Sequence, residues 1–200
     1  MNLYLIAGLG NPGGEYARTR HNAGFLVLDS VARRWSADWT YKEKFNARVA
    51  RAETRSRVAL LCEPQTYMNS SGEAVGAVAR FYQIPVERLL IVLDDADLPL
   101  GQLRLRPGGS SGGHHGLESV EQHLGTKGYA RLRVGIGRQR GAREITSYVL
   151  GRFSSTETTL LDKVLNVASD QVECWLEAGI QKAMNQFNGA VAGAENERIN

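Results

Sequence analysis

The chain alternates between continuous apolar runs and apolar positions at helical spacing. Residues 3–9 form a nearly unbroken apolar stretch that runs into Gly8-Leu9-Gly10-Asn11-Pro12-Gly13, which reads as a buried strand closed by a turn. Phe25, Leu28, Val31, Ala32 and Trp35 then recur as one helical face, with Asn22 standing where a cap is expected. Residues 45–51 and 58–62 read as strands around a polar turn at 53–57. A second helix starts at Ser70 or Ser71, carries Val75, Val78, Ala79 and Tyr82 on one face, and cannot pass Pro85. Residues 89–93 are apolar throughout, as in a strand covered on both faces.

The second half keeps the alternation. Residues 102–106 predict a short strand, 107–113 a glycine/serine loop, 115–124 a short helix and 132–136 another strand. From 156 to 187 the period is helical, through Leu161, Leu165, Ala168, Val172, Trp175, Ile180, Met184 and Phe187, and Gly179 divides it in two. The sum is one three-layer α/β/α domain over residues 1–189, with a twisted mixed sheet and a C-terminal helical segment. A polar tail is expected over 190–200.

Composition narrows the setting. At 42% hydrophobic, 200 residues can bury one core, yet no apolar run is long enough to span a bilayer. The first residues read as a strand without a basic leader or cleavage site, so no signal peptide is expected. Cys62 and Cys174 give neither a disulfide framework nor a metal spacing, and a reducing cytoplasm is the simplest compartment. Net charge is only +3, but 19 of the 24 basic residues are Arg, whose planar fork suits phosphate. Codon or habitat bias accounts for that count equally well.

Candidate chemistry sits at element ends. Gly8-x-Gly10-x-x-Gly13 has the spacing of a dinucleotide fingerprint, but Pro12 precedes the third glycine and the helical pattern starts only near Asn22. A pyrophosphate would have no helix N-terminus to meet, so nucleotide binding is disfavoured. Asn11, His21, Asn69, Asp94 and the pair His114-His115 all fall at such ends, where ligands bind in open α/β sheets. A lone histidine is more often structural; the accompanying polar groups shift the balance. Asp94, at the tip of the most buried strand, can take one imidazole nitrogen of His21 and leave the other as a base toward water. Asn11 and Asn69 can hold a carbonyl and its developing oxyanion. Asp94, Asp95, Asp97, His114 and His115 lack a recognised metal spacing, and neighbours on a strand point opposite ways, so no metal is expected. Arg104 and Arg106 share a strand face, as do Arg131 and Arg133, which fits phosphate contact or a solvated face of ion pairs.

Six motifs in register carry a family resemblance. They are Gly8-Leu9-Gly10-Asn11-Pro12-Gly13 with Tyr16; Thr19-Arg20-His21-Asn22-Ala23-Gly24; Pro64-Gln65-Thr66-Tyr67-Met68-Asn69-Ser70-Ser71-Gly72; Asp94-Asp95-Ala96-Asp97-Leu98-Pro99; Gly112-Gly113-His114-His115-Gly116-Leu117; and Arg131-Leu132-Arg133-Val134-Gly135-Ile136-Gly137. Together they resemble bacterial peptidyl-tRNA hydrolases. The resemblance implies a cytoplasmic, monomeric α/β enzyme without metal or cofactor. Such an enzyme cleaves the ester between peptide and tRNA 3′ ribose and so recycles tRNA from aborted translation. It implies His21 as general base, Asp94 as its orienting partner, and Asn11 as the group that distinguishes peptidyl from aminoacyl ends. Tyr16, Tyr67, Met68, Asn69 and His115 would line the substrate groove, and Arg104, Arg106 and Arg133 would lie near tRNA phosphates. Two positions depart from the family pattern: His115 stands where Asn is common, and Asp95 where Glu is usual. An imidazole presents donor and acceptor on separate ring atoms, which alters the contact His115 can make.

Overall fold

The computed structural model describes residues 3–137 and 145–192. Eight strands form one sheet: β1 (Leu3–Gly8), β2 (Thr40–Lys42), β3 (Ala47–Glu53), β4 (Val58–Pro64), β5 (Leu89–Asp95), β6 (Gln102–Arg106), β7 (Ala130–Gly135) and β8 (Gly189–Ala190). Their order is β2-β3-β4-β1-β5-β7-β6-β8. The central strands β4, β1, β5 and β7 run parallel, and antiparallel strands flank them on both sides, so the sheet is mixed.

Side-chain alternation on the central strands builds two cores. Ile6, Leu90, Val92, Leu132 and Val134 face one way and meet α1 (Ala23–Arg34) and α5 (Ser155–Ala178). Leu5, Ala7, Leu89, Ile91 and Leu93 face the other way and meet α2 (Ser71–Phe81) and α3 (His115–Leu124). Both faces of β1 and β5 are therefore buried, which explains their continuous apolar sequence. The three-layer expectation holds. Gly179, at φ +86°, separates α5 from α6 (Ile180–Phe187), as its place in the helical pattern predicts.

Some local features differ from the sequence reading. β2 is exposed along its length, and α4 (Ile145–Val149) is one short turn; neither has a long enough apolar pattern to announce itself. Phe45 ends a 3-10 turn rather than opening a strand, because Asn46 at φ 46° redirects the chain into β3. Of the tail expected over 190–200, residues 193–200 lie outside the described residues, and the first two positions belong to the fold. Ala190 pairs with Gln102 in the sheet, Val191 is buried, and the Val191 amide donates to Gly101. Val191 is apolar, and an edge pairing of two residues leaves no periodic trace in sequence. Among the described residues, no helix is long and apolar enough to cross a membrane.

Candidate active site

The carboxyl ends of β4, β1 and β5 meet where α1 and α2 leave on opposite faces, the crevice in which such sheets bind ligands. Close packing of α1 sets the crevice's shape. A Cβ on Gly24 would sit 2.4 Å from the Val92 carbonyl oxygen and 2.5 Å from the Leu9 amide, so only glycine lets the helix start against β1 and β5. That contact places the preceding 3-10 turn, Arg20–Asn22, over the tip of β5.

His21 thereby reaches Asp94. Its Nδ1 is 3.0 Å from each carboxylate oxygen of Asp94. His114, at the end of the glycine loop, places Nε2 3.0 Å from Asp94 Oδ1, and its Nδ1 accepts the Leu117 amide at the start of α3. These partners assign the protons. Asp94 only accepts, so both facing nitrogens carry hydrogen. His114 is then neutral with both ring nitrogens engaged, whereas His21 keeps the lone pair on Nε2. Asp94 is buried, and burial by itself raises its carboxyl pKa. The electrostatic pull and hydrogen bond of His114, with those of His21, outweigh burial and hold it at about 2. The carboxylate thus stays ionised as the fixed acceptor between two imidazoles.

Asn11 forms the facing wall. Its Oδ1 accepts the Met68 amide at 2.7 Å, which ties the tip of β1 to the 3-10 turn Met68–Ser70 and leaves Nδ2 without a partner among the described residues. Asn22 takes the N-cap position of α1, as expected, but its side chain makes no capping hydrogen bond. Its side chain is buried and exchanges two hydrogen bonds with the Asn11 backbone, accepting from N–H and donating to C=O, both at 2.9 Å. Asn69 and Tyr67 are exposed on the same turn, while Tyr16 is half-buried in the turn before His21. Gly13, at φ +108°, bends the chain between Asn11 and Tyr16. Met68 contributes by packing: its side chain is buried, and its sulfur lies where a Cβ on Gly116 would come within 2.6 Å.

A sequence model described as "Peptidyl-tRNA hydrolase" matches residues 5–197. A curated peptidyl-tRNA hydrolase from Gloeobacter violaceus is 45% identical over 194 residues, covering 97% of this chain and 98% of its own. One from Thermosynechococcus vestitus is 47% identical, covering 92% and 93%. The chain belongs to the peptidyl-tRNA hydrolase family. The crystal structure of the Acinetobacter baumannii peptidyl-tRNA hydrolase superposes with a TM-score of 0.89 at 38% identity, over 95% of this chain and 96% of that one.

In this member of the peptidyl-tRNA hydrolase family the glycine-loop histidines part company. His114 joins the Asp94 cluster, where the sequence pattern points to His21 alone. Its signal is its place at a helix cap, where only one ring nitrogen is taken by the helix. His115 begins α3 with its side chain 76% exposed and its Nδ1 3.1 Å from Glu118. Asp95 points away from Asp94, as alternation requires, and accepts from Arg133.

The arginines also divide. β6 and β7 pair antiparallel with Arg104 opposite Arg133 and Arg106 opposite Arg131, so all four share one sheet face. Arg131 is 1% exposed and donates to the carbonyls of Ser110 and Lys127. Arg133 donates to Asp95 and to the carbonyls of Ser110 and Ser111. The side chains of Arg104 and Arg106 are exposed and make no hydrogen bond or ion pair among the described residues. The glycine loop is therefore held from below by two arginines, and two more stand open beside it. Among the described residues, His21, Asp94 and His114 also form a group that could jointly hold a metal ion, with candidate ligand atoms within 4.8 Å of one another.

Proposed function

We propose that this chain hydrolyses the ester between a peptide and the 3′ ribose of tRNA, with His21 as the base. The observation that carries the proposal is the fixing of His21 Nδ1 by both oxygens of the buried Asp94, which leaves Nε2 without a partner among the described residues. His21 Nε2 removes a proton from water, and the hydroxide adds to the ester carbonyl. Asp94 steadies the imidazolium that forms. Asn11 Nδ2 and Asn69 Nδ2 face the carbonyl oxygen and stabilise the charge it gains. Collapse breaks the bond to the ribose oxygen, which takes the proton back from His21, giving free tRNA and free peptide. A positioned base contributes about 10²–10⁴-fold, and one oxyanion donor about 10²–10³-fold. No step requires a metal or cofactor.

Tyr16, Tyr67 and the backbone around Met68 line the groove for the peptidyl end, and His115 stands at its rim. Arg104, Arg106 and Arg133 meet tRNA phosphates. Free Cys62 and Cys174 are consistent with a cytoplasmic enzyme, and we take the active form to be a monomer. Release of peptide from an N-blocked aminoacyl-tRNA, with and without chelator, tests the scheme. Turnover should survive chelation and be lost in His21→Ala. Loss on chelation would move the chemistry to a metal on the same three residues. Tight RNA binding without release by the intact protein would leave an RNA-binding homologue.

A further inference from the structure

We infer that Arg20 and Glu157 form a positioning pair that fixes His21 for proton transfer, an inference that rests on His21 being the base. His21 is the middle residue of a three-residue turn, and its two neighbours are anchored in different parts of the molecule. On one side, Asn22 is locked to the Asn11 backbone. On the other, Arg20 reaches 137 residues along the chain to Glu157, with Nη2 at 3.1 and 2.9 Å from the two carboxylate oxygens. Its Nη1 donates to the Arg152 carbonyl at 2.5 Å. The guanidinium lies 4.6 Å from the Tyr148 ring centroid and 5.3 Å from that of Phe153. The Arg20 amide donates to the Gly151 carbonyl, and Thr19 bridges to Arg152.

This pair is unlike a surface ion pair. The two side chains are 12% and 18% exposed, and two rings and a backbone carbonyl hold the fork in place. Glu157 also completes the capping box of α5, accepting from the Ser154 amide while the Ser154 hydroxyl accepts from the Glu157 amide. Burial raises the Glu157 carboxyl pKa, but the Ser154 hydrogen bonds and Arg20 more than reverse this and lower it. The turn bearing the base is thus referenced to the start of α5 as well as to β1. With both neighbours fixed, the imidazole's remaining freedom is its own side-chain torsions, and the Asp94 contact closes those. Loosening either anchor lets the turn shift, and displacement on the ångström scale costs up to about 10²-fold in rate.

The capping box supplies a control. Ser154→Ala removes the hydroxyl acceptor of the cap and leaves the Arg20–Glu157 fork intact, so it should lower Tm and keep kcat. Glu157→Gln and Arg20→Met should each lower kcat about tenfold, within the range for misplaced groups, with KM unchanged. The double variant should be no slower than the slower single one, because the two residues act through each other. Arg20→Lys, which keeps the charge but not the fork, should fall between. The measurements are steady-state hydrolysis of N-blocked aminoacyl-tRNA and thermal unfolding of each variant. Wild-type kcat in Glu157→Gln and Arg20→Lys, with His21→Ala inactive, would overturn the pairing and leave the base assignment standing. So would rate losses that add in the double variant or that appear equally in Ser154→Ala. Turnover retained by His21→Ala would remove the base assignment and the positioning pair with it.

Discussion

The imidazole–carboxylate cluster at the tip of β5 and the arginine face on β6 and β7 are both dense in polar groups, yet they are organised by opposite rules. In the cluster, Asp94 is buried and accepts from two rings, and every proton position but one is fixed by a partner. On the arginine face, Arg131 and Arg133 are spent on the glycine loop while Arg104 and Arg106 stand in solvent. Burial removes water as an alternative partner, so a lost contact in the cluster is costly and specific. Exposure lets water and counterions replace a lost contact, so the arginine face acts through summed charge. The first region supplies chemistry; the second supplies attraction.

The sharpest way to break this contrast is Asp94→Asn. An amide offers N–H where a ring nitrogen already donates, so one of the two imidazoles must flip its tautomer or lose its partner. We expect kcat to fall about 10²–10⁴-fold, the full worth of a positioned base, with tRNA binding retained. A loss of binding without a loss of kcat would invert the division of labour. The same carboxylate governs acid stability. Its pKa is held at about 2 in the fold, below the ordinary carboxylate value of about 3.9. The stabilisation is therefore complete above that ordinary value and fades as pH falls through about 2. Urea midpoints measured from pH 5 down to 2 should fall less steeply for Asp94→Asn than for the parent, and parallel curves would refute the linkage.

Effects on the arginine face should be smaller and salt-dependent. Replacing Arg104 and Arg106 together by Ala should weaken tRNA binding and reduce the slope of log affinity against log salt by about 1–2, leaving kcat at saturation unchanged. An unaltered slope would take both off the phosphate path. Arg133→Ala should differ from this pair, because it also frees the carbonyls of Ser110 and Ser111. The smallest change is expected for His115→Asn, which gives up only an exposed contact to Glu118. Activity near the parent's, or above it, fits a rim residue. Complete loss would give His115 a catalytic role that its exposed position argues against.

The sequence by itself determined a good deal. The period of its apolar positions identified most of the strands and helices, since a strand buried on both faces must be apolar throughout and an amphipathic helix must repeat near every fourth residue. The motifs at element ends carried the family, with Asn11, His21, Asn69 and Asp94 already at strand tips and turns. Tertiary structure alone decided which of two adjacent histidines turns inward. His114 finds Asp94 twenty positions back, whereas His115 is carried to the outside by the first turn of α3. It also turned the Asn22 side chain to brace Asn11 rather than bond to the helix it precedes, buried Arg131 while leaving Arg106 opposite it exposed, and brought Glu157 to the residue beside His21. The physical reason is common to all four. Apolar periodicity is a local property set by backbone geometry, whereas a polar side chain's role depends on the partner it meets, and here the deciding partners include residues 11 and 137 positions away.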